Sequence, residues 1–446
     1  MWEHIMSILK STLIAACVFL TPIAEAFDRF TAHGGPIKGI AHHAPSNLAV
    51  TTSFDYTAVV WFANSMEEIR PLVAHTAAVN AAAFSPDGRW LATGGDDTSI
   101  FLWDVETIQN LDVEPQPIEL TGHTGKVVDL AFSNDGRQLV SSSWDHRIGL
   151  WDIETSSPIR FFQGHQGGVN AAVFSDDDDF VYSAGSDGHI RQWRVDTGEY
   201  LRSIVRNGFG VNVLALSTDL NVLAYGGANG VMKSVSLDAS GPDIELWVGG
   251  PPVLAVDIDP ATESMAFATA EGRIVIADAL VGEIERDFQA VQGPVWAMQY
   301  TSQGSHLMFA GLDDWVTRIP LDDFVVPSAL AERERRFHPD EPLGNGARQF
   351  ARKCSVCHTL TPSSKRRAGP TLYGVFGRKV GAVEDYPYSP ELLDMDLVWT
   401  EDTIDRLFRD GPDIVTPGSK MPIQRIKRDS DRQDLIAYLK QATAPQ

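Results

Sequence analysis

Short apolar runs, separated by polar turns, recur along the larger N-terminal part of the chain. In one unit an apolar run at Val79–Phe84 is followed by the turn Ser85–Gly88 and by two more runs, Trp90–Thr93 and Ile100–Trp103. Short runs of apolar and β-branched or aromatic residues that are bounded by turn residues predict β-strands. The pattern therefore predicts at least three strands in each unit.

Four residues at fixed offsets show that this unit is a repeat. Counted from His75, Thr93 lies 18 positions on, Asp97 lies 22 positions on and Trp103 lies 28 positions on. The same offsets recur from three other histidines, and three weaker copies follow them: His33 with Thr51, Asp55 and Trp61; His123 with Ser141, Asp145 and Trp151; His165 with Ser183, Asp187 and Trp193; then Asn207, Gly249 and Val291. Successive units are 42 residues apart except for one step of 48, whose surplus falls in Leu111–Pro117. A fixed period of this length predicts an array of seven units.

Two dipeptides recur at the ends of these units, and they resemble the signatures of the WD-repeat family: Gly122-His123, Gly164-His165, Trp103-Asp104 and Trp151-Asp152. The resemblance covers residues 27–324 and implies an all-β, seven-bladed propeller. It also implies that residues around Phe27–Phe30 supply the outer strand of the last blade and close the ring. The His, Ser/Thr and Asp sets look like catalytic triads. Because four separate units contain them, we interpret them as structural hydrogen-bond networks.

The segment Cys354–His358 carries the chemistry of the C-terminal part. On one helical turn, thiols at i and i+3 and a histidine at i+4 share a face. Cys354 and Cys357 can therefore form thioethers with a porphyrin whose iron His358 binds, and the spacing predicts one covalently bound haem c. A structural zinc site needs two more ligands at similar spacing, and a thioredoxin-like motif needs a βαβ unit. Neither pattern flanks these residues, and the one other cysteine is Cys17.

Residues 343–446 are similar to class I cytochrome c of the mitochondrial and bacterial electron-carrier type. The resemblance implies an all-α domain whose last helix crosses its first helix at Gly346. From the residues themselves we expect a helix that begins at Thr400–Asp402 and stops at Gly411. We expect the last helix to begin with the capping box Ser430–Gln433.

The resemblance also assigns the residues around the haem. Pro417–Met421 matches the family's methionine loop, which implies Met421 as the sixth iron ligand; the rival Met395 lies in no such loop. Pro370 matches the proline whose carbonyl orients the proximal histidine. The remaining matches imply residues near the haem propionates: Arg378, Tyr388, Trp399 and Ser419. The sequence departs from the family at Leu407, which replaces a tyrosine near the methionine, and the segment before Pro417 is one residue longer.

The N-terminus resembles a secretory signal peptide at residues 1–26, with Lys10, the apolar run Ser11–Leu20 and the small-residue site Ala24–Ala26. Met6 is an alternative start to Met1. No later stretch holds the roughly 18 apolar residues that a membrane-spanning helix needs. Because c-type haem is attached outside the inner membrane, we expect a periplasmic protein. Residues 325–342, rich in proline and charge, are expected to form a linker.

The charge is divided unevenly between the two parts of the 446-residue chain. Residues 1–337 hold 20 Lys and Arg against 44 Asp and Glu, whereas residues 338–446 hold 16 against 15. Such an acidic propeller repels nucleic-acid phosphates, which argues against nucleic acid as a partner.

Together these patterns predict an exported electron-transfer protein without catalytic residues. A His/Met-ligated haem passes single electrons to and from a protein redox partner, and the propeller serves as a docking platform for a further protein. Two alternatives stay open at this point. One is an oxidoreductase whose propeller holds the reactive centre and whose haem relays electrons, and the other is a redox-responsive scaffold. The sequence does not identify the partners, the reduction potential or the oligomeric state.

Overall fold

The computed structural model describes residues 28–322 and 344–444, apart from 32, 238–240, 242, 302–303, 356, 363–367, 385, 387, 420 and 422–423. The expected signal peptide at 1–26 and the expected linker at 325–342 lie outside the described residues. Among the helices within these ranges, none has the length and apolar character needed to cross a bilayer.

The N-terminal part forms seven four-stranded antiparallel sheets, so the seven-bladed propeller is confirmed. In chain order the strands of the blades are β2 Ile37–His43, β3 Leu48–Ser53, β4 Thr57–Phe62, β5 Glu67–Val73; β6 Val79–Phe84, β7 Trp90–Gly95, β8 Ile100–Asp104, β9 Ile118–Leu120; β10 Val127–Phe132, β11 Gln138–Ser143, β12 Arg147–Asp152, β13 Ser157–Gln163; β14 Val169–Phe174, β15 Phe180–Gly185, β16 His189–Arg194, β17 Tyr200–Arg206; β18 Val211–Ser217, β19 Val222–Gly227, β20 Met232–Ser236, β21 Ile244–Trp247; β22 Val253–Asp259, β23 Ser264–Thr269, β24 Arg273–Asp278, β25 Ile284–Gln289; and β26 Val295–Thr301, β27 His306–Gly311, β28 Trp315–Pro320.

The last blade takes its outer strand from the N-terminal side of the chain. Strand β1, Asp28–Thr31, pairs antiparallel with β28, with Asp28 opposite Arg318. The Arg318 side chain donates to Asp28 Oδ2 at 2.8 Å and to the carbonyl of Ala63 in blade one at 3.0 Å. The predicted closure is thus confirmed, and it pairs what would otherwise be a free sheet edge.

The recurring polar residues form the predicted structural network. In blade three, His123 Nδ1 lies 2.8 Å from Asp145 Oδ2 and its Nε2 lies 2.7 Å from Ser141 Oγ, which also accepts the indole N–H of Trp151 at 2.8 Å. Each of these buried polar groups therefore has a hydrogen-bond partner inside the blade. The same bonds recur in three other blades, among His33, Thr51, Asp55 and Trp61; His75, Thr93, Asp97 and Trp103; and His165, Ser183, Asp187 and Trp193.

The electrostatics of blade four support this structural role. Burial lowers the pKa of His165 to about 4, although Asp187 acts in the opposite direction. The imidazole is therefore neutral at physiological pH, and its Nδ1 lies 3.0 Å from the Asp187 carboxylate. In blade five, Asn207 and Asn229 replace the His–Asp pair, and the side chain of Asn207 donates to that of Asn229 at 3.2 Å. A neutral amide pair thus keeps the connection in one of the weaker repeats.

The long step between blades two and three contains an element that the sequence analysis missed. Helix α1, Val105–Gln109, precedes the proline-rich loop. The Asp104 carboxylate caps it by accepting the N–H groups of Glu106 and Thr107, and Ile108 is fully buried. The extra residues therefore include packed structure as well as a loop.

The C-terminal domain is built from helices α2 Asn345–Lys353, α3 Pro390–Asp394, α4 Glu401–Asp410, α5 Pro412–Val415 and α6 Asp429–Ala442.

Two helix boundaries test the sequence-based predictions. Helix α4 begins and ends where expected, with the Thr400 side chain accepting the N–H of Thr403 and Gly411 as the C-cap. The predicted capping box of the last helix is wrong. Arg428 is its N-cap residue, without a side-chain cap bond, so Ser430 already lies within the first turn.

The first and last helices of this domain contact each other closely. A Cβ atom added at Gly346 in α2 would lie 2.1 Å from the carbonyl oxygen of Asp434 and 2.7 Å from Tyr438 Cβ, both in α6. Only glycine permits this approach. The Phe350 and Tyr438 rings pack with centroids 5.7 Å apart, and Leu435 and Leu439 are buried beside them. The predicted helix crossing is therefore observed.

We predict that the propeller is stabilised at alkaline pH by Asp129→Asn. The N–H of Ala172 in the next blade donates to Asp129 Oδ2 at 3.0 Å, yet burial raises the pKa of this carboxyl to about 7. A native-state pKa above its ordinary value means that stability falls as the pH rises through that range. Asparagine keeps the acceptor and removes the charge, so the Tm should rise by about 2 °C or more at pH 8. At pH 5 the gain should be smaller.

Thermal unfolding monitored by circular dichroism at both pH values measures this difference. The exposed Asp176 provides the control, since Asp176→Asn should leave the Tm unchanged. Equal effects of Asp129→Asn at the two pH values would contradict the prediction.

Candidate functional site

A deep cavity in the C-terminal domain brings all the predicted site residues together. Its volume is about 1160 Å³, including the open mouth, which suits a ligand the size of a porphyrin. The predicted residues that line it are Cys354, Cys357, His358, Pro370, Arg378, Tyr388, Trp399, Ser419 and Met421. Most of the other lining side chains are apolar, among them Leu372, Val375, Ile404 and Phe408. The structure thus places these residues around one cavity, while their individual roles stay predictions.

The two thiols and the imidazole lie on one short turn that continues from helix α2. The N–H of Cys354 donates to the carbonyl of Phe350 at 2.8 Å, and the N–H groups of Cys357 and His358 donate to the carbonyl of Cys354 at 3.1 and 2.9 Å. Cys354 is buried and Cys357 is half-buried. Burial, followed by the nearby Cys357, raises the pKa of the Cys354 thiol to about 12. The turn presents both sulfurs and the ring to the same cavity.

The imidazole of His358 is fixed by the segment that follows the motif. Its Nδ1–H donates to the carbonyl of Pro370 at 2.7 Å, so Nε2 is the unprotonated nitrogen of the neutral ring, the form that can bind a metal. A Cβ atom at Gly369 would lie 2.4 Å from His358 Cε1, so the ring packs directly on this glycine backbone. The N–H of Gly369 donates to the carbonyl of Cys357 at 2.8 Å. These contacts pre-orient the histidine as an axial ligand needs.

Met421 lines the same cavity from another segment of the chain. Its backbone N–H donates to Ser419 Oγ at 3.1 Å, and the N–H of Ser419 donates to the carbonyl of Thr416 at 3.0 Å. Gly418 adopts a φ of 82°, a value that favours glycine and turns the chain before the methionine. Leu407, where the family has a tyrosine, is buried and lines the cavity without a hydroxyl group.

Arg378 has backbone partners inside the cavity wall. Its guanidinium donates to the carbonyls of Tyr373 at 2.7 Å and Thr371 at 2.5 Å, and burial lowers its pKa. Its own backbone carbonyl accepts the N–H of Trp399 at 2.9 Å. The positive charge is therefore held in place beside the cavity, where an anionic propionate could approach it.

Two tyrosines in the cavity wall were not predicted. Tyr386 donates its hydroxyl to the carbonyl of Ala368 at 2.7 Å and packs edge-on against Tyr388, with ring centroids 4.8 Å apart. Burial, Tyr388 and Cys357 together raise the pKa of Tyr386 to about 12. Tyr386 lies two positions before Tyr388, so the clustering of aromatics was the signal that could have found it. The second residue, Tyr56, belongs to blade one.

Comparisons with known proteins agree with this two-part architecture. The model of the WD domain, G-beta repeat, matches residues 25–61, 66–104, 115–152 and 156–194, and the model of cytochrome c matches residues 343–443. A cytochrome c of Theileria parva is 39% identical over 106 residues, which span 24% of this chain and 90% of that protein. A cytochrome c of Gibberella zeae is 39% identical over 101 residues, which span 23% of this chain and 94% of that protein. The cytochrome c2 of Blastochloris viridis is 38% identical over 96 residues, with 22% and 75% covered.

We predict that Gly369→Ala lowers the amount of haem-loaded protein. The added methyl group would meet the His358 ring at 2.4 Å, so the imidazole must move away from its bond with Pro370. A displaced ring cannot hold iron in the arrangement that the cavity offers. Haem absorbance per mole of purified protein measures the effect. Gly344→Ala is the control, because no atom lies within 4 Å of the Cβ it would add. Full loading and an unchanged spectrum in Gly369→Ala would contradict the predicted role of this contact.

Proposed function

This chain belongs to the cytochrome c family through its C-terminal domain, and we propose that it is an exported carrier that passes single electrons through one haem c ligated by His358 and Met421. The observation that supports this most strongly is the convergence of the two cysteines, His358 and Met421 on one cavity. Family membership implies covalently bound haem c as the cofactor. Haem c supplies an iron that changes between the ferric and ferrous states.

The protein residues around the cavity determine what this iron can do. Pro370 holds the proton of His358 on Nδ1, so Nε2 carries the lone pair with which the neutral ring would bind iron. The thioether of Met421 is a soft ligand that favours reduced iron and so raises the reduction potential. If His358 and Met421 both bound the iron, no coordination position would be left for a substrate. This favours electron transfer over reactions with oxygen or peroxide.

The propeller contributes a large, rigid surface with a strong negative charge. WD-type repeats indicate protein interaction, and the acidic balance of residues 1–337 favours a partner with a basic contact surface. The same His tetrad forms a structural network in each of four blades, so none of the four is distinguished as a catalytic site. The propeller is accordingly proposed as a docking platform for a protein.

Absorption spectra of the purified protein, taken with and without reductant, test the carrier function. One haem c per chain, a reversible one-electron titration and no second chromophore are expected. A quinone band, or the band of a second type of haem, would instead favour an oxidoreductase whose propeller holds the reactive centre.

We predict that Met421→Ala opens the sixth coordination position. The wild-type ferrous protein should bind carbon monoxide slowly or not at all, whereas the variant should bind it rapidly and lose the weak far-red band of ferric sulfur ligation. Its midpoint potential should also fall, because a soft ligand that favours ferrous iron is lost.

Met395→Ala is the matched control for this experiment. Met395 is the C-cap residue of α3 and does not line the cavity, so its removal should leave the spectrum and carbon monoxide binding unchanged. Rapid binding by the wild type, or loss of the far-red band in Met395→Ala alone, would refute ligation by Met421.

Export to the periplasm is the remaining part of the proposal, and it rests on residues 1–26 of the sequence. We predict that the purified protein begins at Phe27, because the small-residue site Ala24–Ala26 fits cleavage at that point. Intact-protein mass spectrometry, which also reports the mass of attached haem, measures the N-terminus. Replacing Ala24 and Ala26 by Glu should leave the leader attached and keep the protein in the membrane fraction. A haem-loaded wild-type protein that retains residues 1–26 would contradict cleavage.

A further inference from the structure

One residue of the propeller lies in the wall of the haem cavity. Tyr56, from the turn between β3 and β4, lines the cavity together with Cys357 and Tyr386 of the C-terminal domain. Burial, followed by the nearby Tyr386 and Cys357, raises its pKa. The side chain is half-buried, although it belongs to a surface turn of a blade. The first blade and the haem-attachment turn therefore line the same cavity.

The backbone at this position would suit glycine better than tyrosine. Tyr56 has a φ of 72°, and the corresponding turn residues Gly188, Gly230 and Gly272 in blades four to six have φ values of 80°, 80° and 89°. A bulky residue in the left-handed region is uncommon and costs on the order of 1 kcal/mol or more. Thr98 in blade two and His146 in blade three occupy the same turn position with φ values of 70° and 71°, so this backbone conformation belongs to the turn. Blade one differs in the side chain that it places there, a tyrosine ring that lines the cavity.

The structural tetrad of blade one holds this turn in place. The Asp55 carboxylate accepts the N–H of Thr57 at 3.0 Å and its hydroxyl at 2.6 Å, and it lies 3.1 Å from His33 Nδ1. The N–H of Tyr56 donates to the carbonyl of Ser53 at 3.3 Å. Bonds on both sides of Tyr56 thus fix the direction in which its side chain leaves the blade.

We propose that the side chain of Tyr56 covers the haem on the side of Cys357. The inference rests on the proposed haem c carrier function. The tyrosine ring excludes water from that side of the cavity and limits the approach of molecules that exchange electrons there. Because ferric haem carries one more positive charge than ferrous haem, exclusion of water disfavours the ferric state and raises the midpoint potential. One function of the propeller is therefore to screen the redox centre of its own chain.

Tyr56→Gly tests the proposal without straining the turn, since glycine occupies the same position in three other blades. In the full-length haem-loaded protein this variant should react severalfold faster with ferricyanide and should have a lower midpoint potential. Tyr56→Phe should behave like the wild type in both measurements, because the phenyl ring still covers the cavity.

His146→Gly is the matched control. His146 occupies the same turn position in blade three, with a φ of 71° and a backbone bond to Ser143 like that of Tyr56 to Ser53, but it is exposed and does not line the cavity. Its removal should change neither the rate nor the potential. Equal rates and potentials for Tyr56→Gly and His146→Gly would overturn the screening role.

A second measurement reports the position of Tyr56 independently of electron exchange. With 3-fluorotyrosine incorporated, the ¹⁹F signal that is missing in Tyr56→Phe belongs to residue 56. This signal should shift between the ferric and ferrous states, because the unpaired electron of ferric haem acts over short distances. An identical chemical shift in both states would refute proximity. A wild-type protein that retains its haem c spectrum in that case leaves the carrier function intact, so the two proposals fail separately.

Discussion

The hydrogen bond from His358 Nδ1 to the carbonyl of Pro370 is the constraint on which the haem site depends. The bond selects the tautomer, aims the opposite nitrogen at the cavity and ties the attachment turn to the next segment. It can form at 2.7 Å because Gly369 has no side chain to displace the ring. A buried imidazole without that acceptor would rotate among orientations, and its affinity for iron would fall. The other lining residues surround the same cavity as this fixed imidazole.

The propeller depends on a different constraint, which is closure of the ring. Strand β1 pairs with β28, and Arg318 bonds to both Asp28 and blade one, so the first and last strands of the propeller are joined. Closure pairs the edge of β28 with β1, completes the four-stranded last blade and makes the platform rigid. A rigid platform can hold one turn, at Tyr56, against a second domain. Among the described residues of the propeller, Tyr56 in that turn lines the cavity of the C-terminal domain.

Much of the fold follows from local patterns. The 42-residue period predicted seven blades, and the offsets of His, Ser/Thr, Asp and Trp predicted networks that the structure contains. Helix α1 escaped prediction because Val105–Gln109 is too short to show a helical period. The prediction of a capping box at Ser430 failed for a different reason. Several polar residues compete for the N-cap near Asp429, and packing of α6 against α2 sets the start of the helix.

The sequence by itself determined the chemistry of the site. Two cysteines and a histidine within five residues specify covalent haem attachment, because a single helical turn fixes their relative geometry. Similarity to a known family extended this to residues such as Met421, which reaches the same cavity from 63 positions beyond His358. Only the tertiary structure revealed the place of Tyr56, roughly 300 residues from the haem motif. A contact between domains leaves no period or spacing in the chain, since it depends on how two separately folded surfaces meet.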